Sequence, residues 1–376
     1  MSPARHFHRI AWIAVLLTFG VIFLGGFTRL NNAGLSCPDW PTCYGKVTWP
    51  NEAHEIAHAN ANFDRAVEVS KAIFEQVHRH MAASLGVLVL VLAVLAARKR
   101  PQGLTTVFVG TAFVIAAIFA YMKVDHVLAL ALAGTGQLIW LTVVIRWNDG
   151  VTRLSVVLLM VVTFQALLGM WTVIWLVKPV IVMSHLMGGL TTFALLTLLA
   201  WWTTPNSVRV HVDAPRLRIL LWVGLALLAV QIALGGWVAS NYAALACGMD
   251  FPKCKGAWWP EMDFQEAFVL WRGIGVDYEG GVLDAAARAA IQMAHRIGAI
   301  IVTLYVGFLG LRLMRTPGFR AWGATLFVLL LVQVSLGIAN VVQGLPLYVA
   351  TAHLLVAVLM LFATVTLLAR LRSPET

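Results

Sequence analysis

Ten apolar stretches, each about twenty residues long, constrain the fold of this sequence more than any other feature. A helix of that length crosses the hydrocarbon core of a bilayer, where a helix satisfies all of its own backbone hydrogen bonds. The stretches cover approximately residues 10–28, 77–97, 104–122, 127–145, 154–176, 180–202, 218–240, 291–313, 321–342 and 347–369. The pattern therefore predicts an all-α polytopic membrane protein with about ten transmembrane helices.

The composition and charge agree with a membrane protein and argue against two other classes. Hydrophobic residues make up 60% of the 376 residues and charged residues only 12%, whereas soluble domains are about half apolar and a quarter charged. The net charge of +10 would also suit a nucleic-acid-binding protein, but most basic residues lie in short links between apolar stretches. We expect a lipid bilayer as partner and no nucleic acid.

The N-terminal sequence favours a bacterial inner (cytoplasmic) membrane. The first apolar stretch, Ile10 to Phe27, is long enough to span, and no clear cleavage site follows it. We therefore expect no separate signal peptide. Only a few residues precede this stretch, which also argues against a mitochondrial transit peptide.

The basic residues of the links predict the orientation of the multi-pass chain, because cytoplasmic loops are enriched in Lys and Arg. They all fall on the cytoplasmic side if both termini are cytoplasmic: Arg5, Arg9, Arg98, Lys99, Arg100, Arg146, Arg153, Arg209, Arg216, Arg218, Arg312, Arg315, Arg320, Arg370 and Arg372. The two long polar loops, 29–76 and 241–290, are then expected to be periplasmic.

The two halves of the sequence repeat each other. Segment 34–50, with two cysteines and a final Trp-Pro, reappears as 244–260, and His78-Arg79 reappears as His295-Arg296. A glutamine four residues before a glycine, followed by a histidine, occurs in both halves and ends at His185 and at His353. Repeats of this kind often build equivalent sites within each unit.

An insertion interrupts the first half. The separation from His78 to His185 is 49 residues greater than the separation from His295 to His353, which is about the length of two spans and a link. We therefore expect two pseudo-symmetric four-helix bundles in parallel repeat, with an inserted two-helix hairpin at about residues 102–150. The predicted units are residues 1–203 and 204–376.

Four histidines at matched depth are the strongest candidate ligands. His78, His185, His295 and His353 each lie near the outer start of a predicted helix, where an ionisable side chain is costly and usually faces the bundle interior. A hydrogen-bonded structural role is the alternative for any single one. Two imidazoles in each unit, without a cysteine or paired carboxylate in the membrane, favour heme iron over zinc or copper.

Two arginines follow histidines directly, near the water boundary. Arg79 and Arg296 can pair with heme propionates in a bidentate manner. The alternative is that they reach towards lipid headgroups.

A carboxylate distinguishes the two units. Glu75 lies three residues before His78 on the same helical face, and the equivalent residue before His295 is Gln292. A carboxylate there can accept a proton or stabilise a developing cation. The alternative is an acidic residue favoured by the helix dipole near a helix start.

The four cysteines lie in the two outer loops. An even number in an oxidising compartment predicts two local disulfides, Cys37–Cys43 and Cys247–Cys254. A zinc site is less favoured, because the spacing is unusual and the pairs lie in separate loops. The sequence leaves open whether the disulfides are redox-active or only stabilise their loops.

These motifs together resemble the heme A synthase family, in its cysteine-containing branch. The resemblance rests on Thr28-Arg29-Leu30, segment 34–43, Glu75 to Arg79, Gly169-Met-Trp-Thr172, Ser184 to Gly189, His295-Arg296 and His353. It covers most of the chain, although the inserted hairpin departs from the usual eight spans of the family.

The resemblance implies that the chain oxidises the C8 methyl group of heme O to a formyl group, giving heme A for cytochrome oxidase assembly. It implies a heme B cofactor at His295 and His353, and heme O or heme A as substrate or product at His78 and His185, with Glu75 as a catalytic participant. The implied partners are a heme O synthase that supplies the substrate and cytochrome oxidase assembly factors.

Two other functions compete with this hypothesis. A non-catalytic diheme b-type membrane electron carrier would use the same four histidines without needing the difference between Glu75 and Gln292. A transporter built from repeats would need a polar path or broken helices near the midplane, and the sequence shows little of either. The oligomeric state stays open, with a homo-oligomer among the alternatives.

Overall fold

The computed structural model describes residues 6–205, 210–211 and 215–372. Ten of its helices are long and apolar enough to span a membrane, so the predicted all-α polytopic fold is confirmed. These helices are α1 (Phe7–Leu30), α3 (Val69–Ala97), α4 (Gly103–Met122), α5 (His126–Arg146), α6 (Gly150–Ile174), α7 (Pro179–Thr203), α8 (Pro215–Ser240), α10 (Ala285–Met314), α11 (Arg320–Val342) and α12 (Leu347–Arg370). Arg5 and Arg209, used above to predict orientation, lie outside the described residues.

The remaining elements are short. Helices α2 (Ala53–Asn62) and α9 (Phe264–Ala267) lie in the two long loops. Strands β1 (Val210–His211) and β2 (Leu371–Arg372) form one parallel pair of two residues each. This pair joins the link before α8 to the end of α12, and it does not change the helical class of the fold.

Helices α3 and α10 begin well before their predicted starts at residues 77 and 291. The first turns of α3 contain polar residues, and those of α10 are alanines with one arginine, so neither stretch has the large apolar side chains of a span. Both stay helical because they pack beneath the loops through buried Ala72 and Ala287. The Asp284 side chain also caps α10 by accepting a hydrogen bond from the backbone N–H of Ala287 at 2.8 Å. The histidines of these two helices therefore lie about three turns from the helix start.

The helices contact one another in two closed rings. In the first ring α1 contacts α3, α3 contacts α6, α6 contacts α7, and α7 returns to α1. In the second ring α8, α10, α11 and α12 follow one another in the same way. Helices α3 and α7, and likewise α10 and α12, are therefore diagonal partners that face each other across a four-helix arrangement.

The two rings meet through equivalent helices. Helix α7 contacts α8, α12 contacts α1, and α7 contacts α12. Since α1 corresponds to α8 and α7 to α12 in the repeat, the first two contacts are related to each other by the pseudo-symmetry. The exact boundary between the two predicted units, after residue 203, stays a prediction.

The inserted hairpin of α4 and α5 packs on the opposite side of the first ring. It contacts α3 and α6, whereas the second ring contacts α1 and α7. The hairpin is held together by Trp140, whose indole N–H donates to the carbonyl of Val107 at 3.2 Å and whose ring covers Gly110. The hairpin thus adds to the first ring without separating its diagonal helices.

One apolar cluster of buried residues extends to Phe7 near the start of α1 and to Ala200 near the end of α7. Two hydrogen bonds mark that end: the Trp12 indole N–H donates to the Thr204 hydroxyl at 3.0 Å, and the Trp201 indole N–H donates to the Thr366 hydroxyl at 3.0 Å. They bring the start of α1 and the end of α12 to the same end of the molecule, as expected for an even number of spans.

Candidate functional site

The predicted histidines lie on the diagonal helices and form two pairs. His78 on α3 and His185 on α7 have ring centroids 6.5 Å apart, with their planes at 87°. His295 and His353 lie on α10 and α12, the equivalent diagonal helices of the second ring. Each pair takes one imidazole from each of two diagonal helices. This pairing is consistent with the prediction that the histidines lie at one depth in the membrane.

The separation of the first pair suits a metal ion held between the two rings. Bonds between a metal and imidazole nitrogen are about 2 Å long, and each ring centroid lies slightly beyond its coordinating nitrogen. Two such bonds in line account for most of the distance between His78 and His185. Rings on opposite sides of one iron are the arrangement that bis-histidine heme ligation requires.

Three of the four histidines have a ring nitrogen without a partner. The Nδ1 atoms of His78, His185 and His353 are buried and have no hydrogen-bond partner among the described residues. A buried polar atom without a partner costs free energy. These atoms indicate rings that are placed for a ligand rather than for a complete network within the protein, and so the residues present fit a heme.

Each histidine ring lies against a glycine of a neighbouring helix. A Cβ atom built on Gly25 would stand 2.7 Å from Cε1 of His78. The other three contacts repeat this geometry, at 3.2 Å for Gly169 with His185, 3.2 Å for Gly235 with His295 and 3.1 Å for Gly337 with His353. The absence of a side chain at these four positions is what allows the Cε1 corner of an imidazole to approach the adjoining helix so closely.

Glutamine side chains contact the histidines of the second ring. The amide nitrogen of Gln231 lies 3.1 Å from Nδ1 of His295 and also donates to the backbone carbonyl of His295 at 3.0 Å. The amide nitrogen of Gln333 lies 3.2 Å from Nε2 of His353. The residue corresponding to Gln231 in the first ring is Val21, which has no polar side chain. The side-chain contact between Gln231 and His295 therefore has no counterpart at His78.

Glu75 is buried and fixed by two hydrogen bonds. Its Oε1 atom accepts from Arg79 at 2.6 Å, and its Oε2 atom accepts from the backbone N–H of Cys37 at 2.8 Å. At the equivalent position of the second ring, Gln292 is buried and its Oε1 atom has no partner among the described residues. Within the described part of the chain, the first histidine pair alone thus has a carboxylate one helical turn away.

The two arginines bind loop carbonyls. Arg79 donates to the carbonyl oxygens of Asp39 at 2.7 Å, Thr42 at 2.6 Å and Cys37 at 3.1 Å. Arg296 makes the equivalent set, donating to carbonyl oxygens of residues 250, 252 and 253 at 3.1, 3.3 and 2.9 Å. Most of their N–H donors are used in this way. Direct pairing with heme propionates stays a prediction that these contacts do not favour.

The two predicted disulfides, Cys37–Cys43 and Cys247–Cys254, are present and buried. In each loop the second cysteine forms a short antiparallel bridge, with Lys46 in the first and with Ala257 in the second. Each disulfide loop is thus a compact cap above the histidine of α3 or α10.

Tyr44 lies in the first of these loops. Burial, and then the negative charge of Glu75, raise the pKa of its phenol.

The repeated histidines and the loops above them have counterparts in known proteins. A sequence model of a family described as cytochrome oxidase assembly protein matches residues 8–365. The chain belongs to this family. The match includes both histidine pairs, both disulfide loops and the inserted hairpin, so the resemblance stated from the motifs is confirmed over nearly the full chain.

Several relatives of this chain are heme A synthases. A heme A synthase of Shewanella oneidensis is 37% identical over 357 residues, which cover 94% of this chain and 93% of the relative. A heme A synthase of Rhizorhabdus wittichii is 26% identical over 93% of this chain and 90% of its own length. That of Paracoccus denitrificans is 27% identical over 96% of this chain and 86% of its own length.

Three features of the site were not predicted from the sequence. The glycine contacts are the first, although a glycine at the same place in each repeat was a usable signal. The loop-binding role of Arg79 and Arg296 is the second, and it depends on a loop conformation that no short motif encodes. The third is Lys178, a buried cation at the start of α7 that is described below.

Proposed function

We propose that this chain is a heme A synthase, an oxidoreductase that converts the C8 methyl group of heme O to a formyl group for cytochrome oxidase. One observation carries the proposal: two histidine pairs lie on diagonal helices of matching rings, and among the described residues only the first pair has a carboxylate one helical turn away. The family membership and the similarity to known heme A synthases support the same function.

We assign the substrate porphyrin to His78 and His185 and a resident heme B to His295 and His353. The contacts of Gln231 and Gln333 support this division. A second set of residues that orients metal ligands usually raises affinity for the group they hold, which suits a permanent cofactor. The first pair has fewer such restraints at His78, which suits a site that must exchange substrate for product.

The C-terminal heme, when bound, supplies one-electron chemistry. The protein residues bind and orient the porphyrins and keep the reacting carbon away from bulk water. Glu75 is held in place before reaction by Arg79 and by the Cys37 N–H. A carboxylate has lone pairs beyond the two used here, so Glu75 can accept a proton or face a developing positive charge without reorganising.

The cellular setting follows from the same proposal. We place the protein in the bacterial inner membrane, with both termini cytoplasmic and the disulfide loops periplasmic. A heme O synthase would supply the substrate, and cytochrome oxidase assembly factors would receive the product. The charge distribution in the links supports this orientation.

Co-expression with a heme O source tests the function directly. The wild-type protein is expected to accumulate heme A in extracted membranes, and Glu75→Ala is expected to abolish heme A while protein still accumulates. Gln292→Ala, the matched change in the other unit, is expected to leave heme A production in place. Normal heme A from Glu75→Ala would remove Glu75 from the mechanism.

The same extraction separates this function from that of an electron carrier. A non-catalytic diheme protein would retain two heme B groups and would not convert heme O, whatever the residue at position 75. Heme A that depends on the presence of this chain would exclude it.

A further inference from the structure

An unpaired ammonium group lies buried at the outer end of the first ring. Lys178 is 1% exposed, and its Nζ atom has no hydrogen-bond partner among the described residues. It lies 3.4 Å from the ring centroid of Trp271 and 5.6 Å from that of Trp175. A cation–π contact attracts the ammonium, but it satisfies none of the three N–H donors that a lysine carries.

The position of Lys178 makes an unpaired positive charge still less favourable. Lys178 is the N-cap residue of α7, where the helix dipole presents its positive end. Burial also lowers the pKa of the amino group. Both effects disfavour an isolated ammonium. An anion bound at this point would pair with the ammonium and would also interact favourably with the positive end of the helix dipole.

Lys178 lies on the same face of α7 as His185. The two are seven residues apart, or nearly two full turns, and residues with that spacing share a helical face. The axial separation is about 10 Å at 1.5 Å per residue. This is comparable to the reach from the iron of a porphyrin to the carboxylates of its propionate side chains.

The usual candidates for contact with those carboxylates are already engaged. Arg79 and Arg296 donate to loop carbonyls, as described above. Arg29, at the end of α1, donates to the Tyr242 hydroxyl at 2.9 Å and to the carbonyl of Ala239 at 2.8 Å. Arg29 and Arg296 each keep a buried Nε atom without a partner, but their other nitrogens are bonded, whereas the single side-chain nitrogen of Lys178 has no partner among the described residues.

The repeat provides an internal comparison. In the second ring the N-cap residue of α12, seven residues before His353, is Pro346. The turns that precede the two helices match: Leu176 and Val177 have φ of 47° and 51°, and Gly344 and Leu345 have φ of 70° and 62°. The backbone is thus common to both units, and the ammonium belongs to the first alone.

We propose that the Lys178 ammonium binds a propionate carboxylate of the porphyrin held between His78 and His185. The inference rests on the proposed function, since it requires a porphyrin at that pair. It makes Lys178 a residue that recognises and orients the substrate, through a contact that the C-terminal unit does not contain.

Porphyrin titration of the full-length protein in detergent tests the proposal. The variants carry His353→Ala, so that the Soret absorbance reports the first pair. The two probes are iron protoporphyrin IX, with free propionates, and its dimethyl ester. The protein with His353→Ala alone is expected to bind the free acid about tenfold more tightly than the ester, a difference in binding free energy of ~1.4 kcal/mol. Lys178→Met is expected to lose most of that preference, and Lys178→Arg to retain part of it.

Lys253→Met is the matched control, because Lys253 lies in an outer loop 5.9 Å from the Trp258 ring but is exposed. It is expected to keep the preference for the free acid. An undiminished preference in Lys178→Met would overturn the inference and leave the proposed function intact. Failure of both porphyrins to bind through His78 and His185 would overturn the proposed function, and the inference with it.

Thermal unfolding without porphyrin provides a second measurement. Without porphyrin, the buried Lys178 ammonium has no bound anion to balance its charge. Replacement by Met removes this unfavourable charge and is expected to raise the unfolding midpoint by about 2–4 °C. A lower midpoint would mean that the lysine only stabilises the tryptophan cluster, and that result would contradict the proposal.

Discussion

The imidazole of His78 lies against the backbone of Gly25 so closely that no side chain fits between α3 and α1 at this point. A Cβ atom at residue 25 would stand 2.7 Å from Cε1 and 3.3 Å from each ring nitrogen of His78. The glycine therefore sets the position of the ring, and through it the 6.5 Å separation from His185.

Gly25→Ala is expected to displace the His78 ring and to weaken porphyrin binding at the first pair alone. Overpacking of this kind costs about 1–3 kcal/mol, more than the ~1 kcal/mol that alanine gains over glycine in a helix. Absorbance and extracted heme should show less heme O and heme A per protein, with heme B unchanged.

Gly86→Ala is the control for that substitution, because Gly86 lies in α3 and an added Cβ meets only Val162, at an ordinary 3.7 Å. It is expected to leave the heme content unchanged. Equal behaviour of the two variants would show that the contact between Gly25 and His78 does not position the ligand.

Gln231→Ala is expected to weaken retention of heme at the second pair. Loss of a residue that orients a metal ligand typically lowers affinity about 10–100-fold. Heme B per purified protein should fall accordingly, and the reduced-minus-oxidised spectrum should change. Val21→Ala, at the corresponding position of the first ring, is the control and should leave heme B in place. Full heme B in Gln231→Ala would contradict the assigned role.

Arg79→Met is expected to destabilise the protein more than Arg296→Met. Both changes remove loop contacts, but only the first leaves a buried carboxylate unpaired, which costs about 3–5 kcal/mol. The Arg79 and Glu75 side chains are 12% and 6% exposed, so solvent screening is weak. Unfolding midpoints in detergent measure the difference.

The double variant Glu75→Gln/Arg79→Met is expected to recover stability to near that of Arg296→Met, because a neutral amide still accepts the Cys37 N–H. It is not expected to recover heme A production. A double variant as unstable as the sum of the two single losses would show that Glu75 and Arg79 do not stabilise each other.

Gly110→Ala is expected to disturb the hairpin without changing the histidine sites. An added Cβ would overlap the Trp140 indole, whereas a Cβ at Gly134 in α5 meets nothing within 4 Å. Gly110→Ala should lower the unfolding midpoint, Gly134→Ala should not, and the heme content of the folded fraction should be the same in both. A heme loss specific to Gly110→Ala would place the hairpin in the heme-binding structure.

The sequence was sufficient for the spans and the disulfides, because these depend on local apolarity and on an internal repeat. It also placed the four histidines on matching helices of that repeat, and their role as heme ligands stays a prediction. The starts of α3 and α10 were missed, since their first turns are stabilised by packing under a loop and not by apolarity. The burial of Lys178 needed the structure as well: Trp271, which covers it, lies in the outer loop of the other half.

In the proposed arrangement, each four-helix unit holds its own porphyrin between its own two histidines. Extraction and chromatography of hemes from purified His185→Ala and His353→Ala proteins, expressed with a heme O source, tests it most directly. His185→Ala is expected to lose heme O and heme A but to keep heme B, and His353→Ala is expected to lose heme B but still to bind heme O. Loss of all hemes in parallel from both variants, or no loss from either, would contradict it.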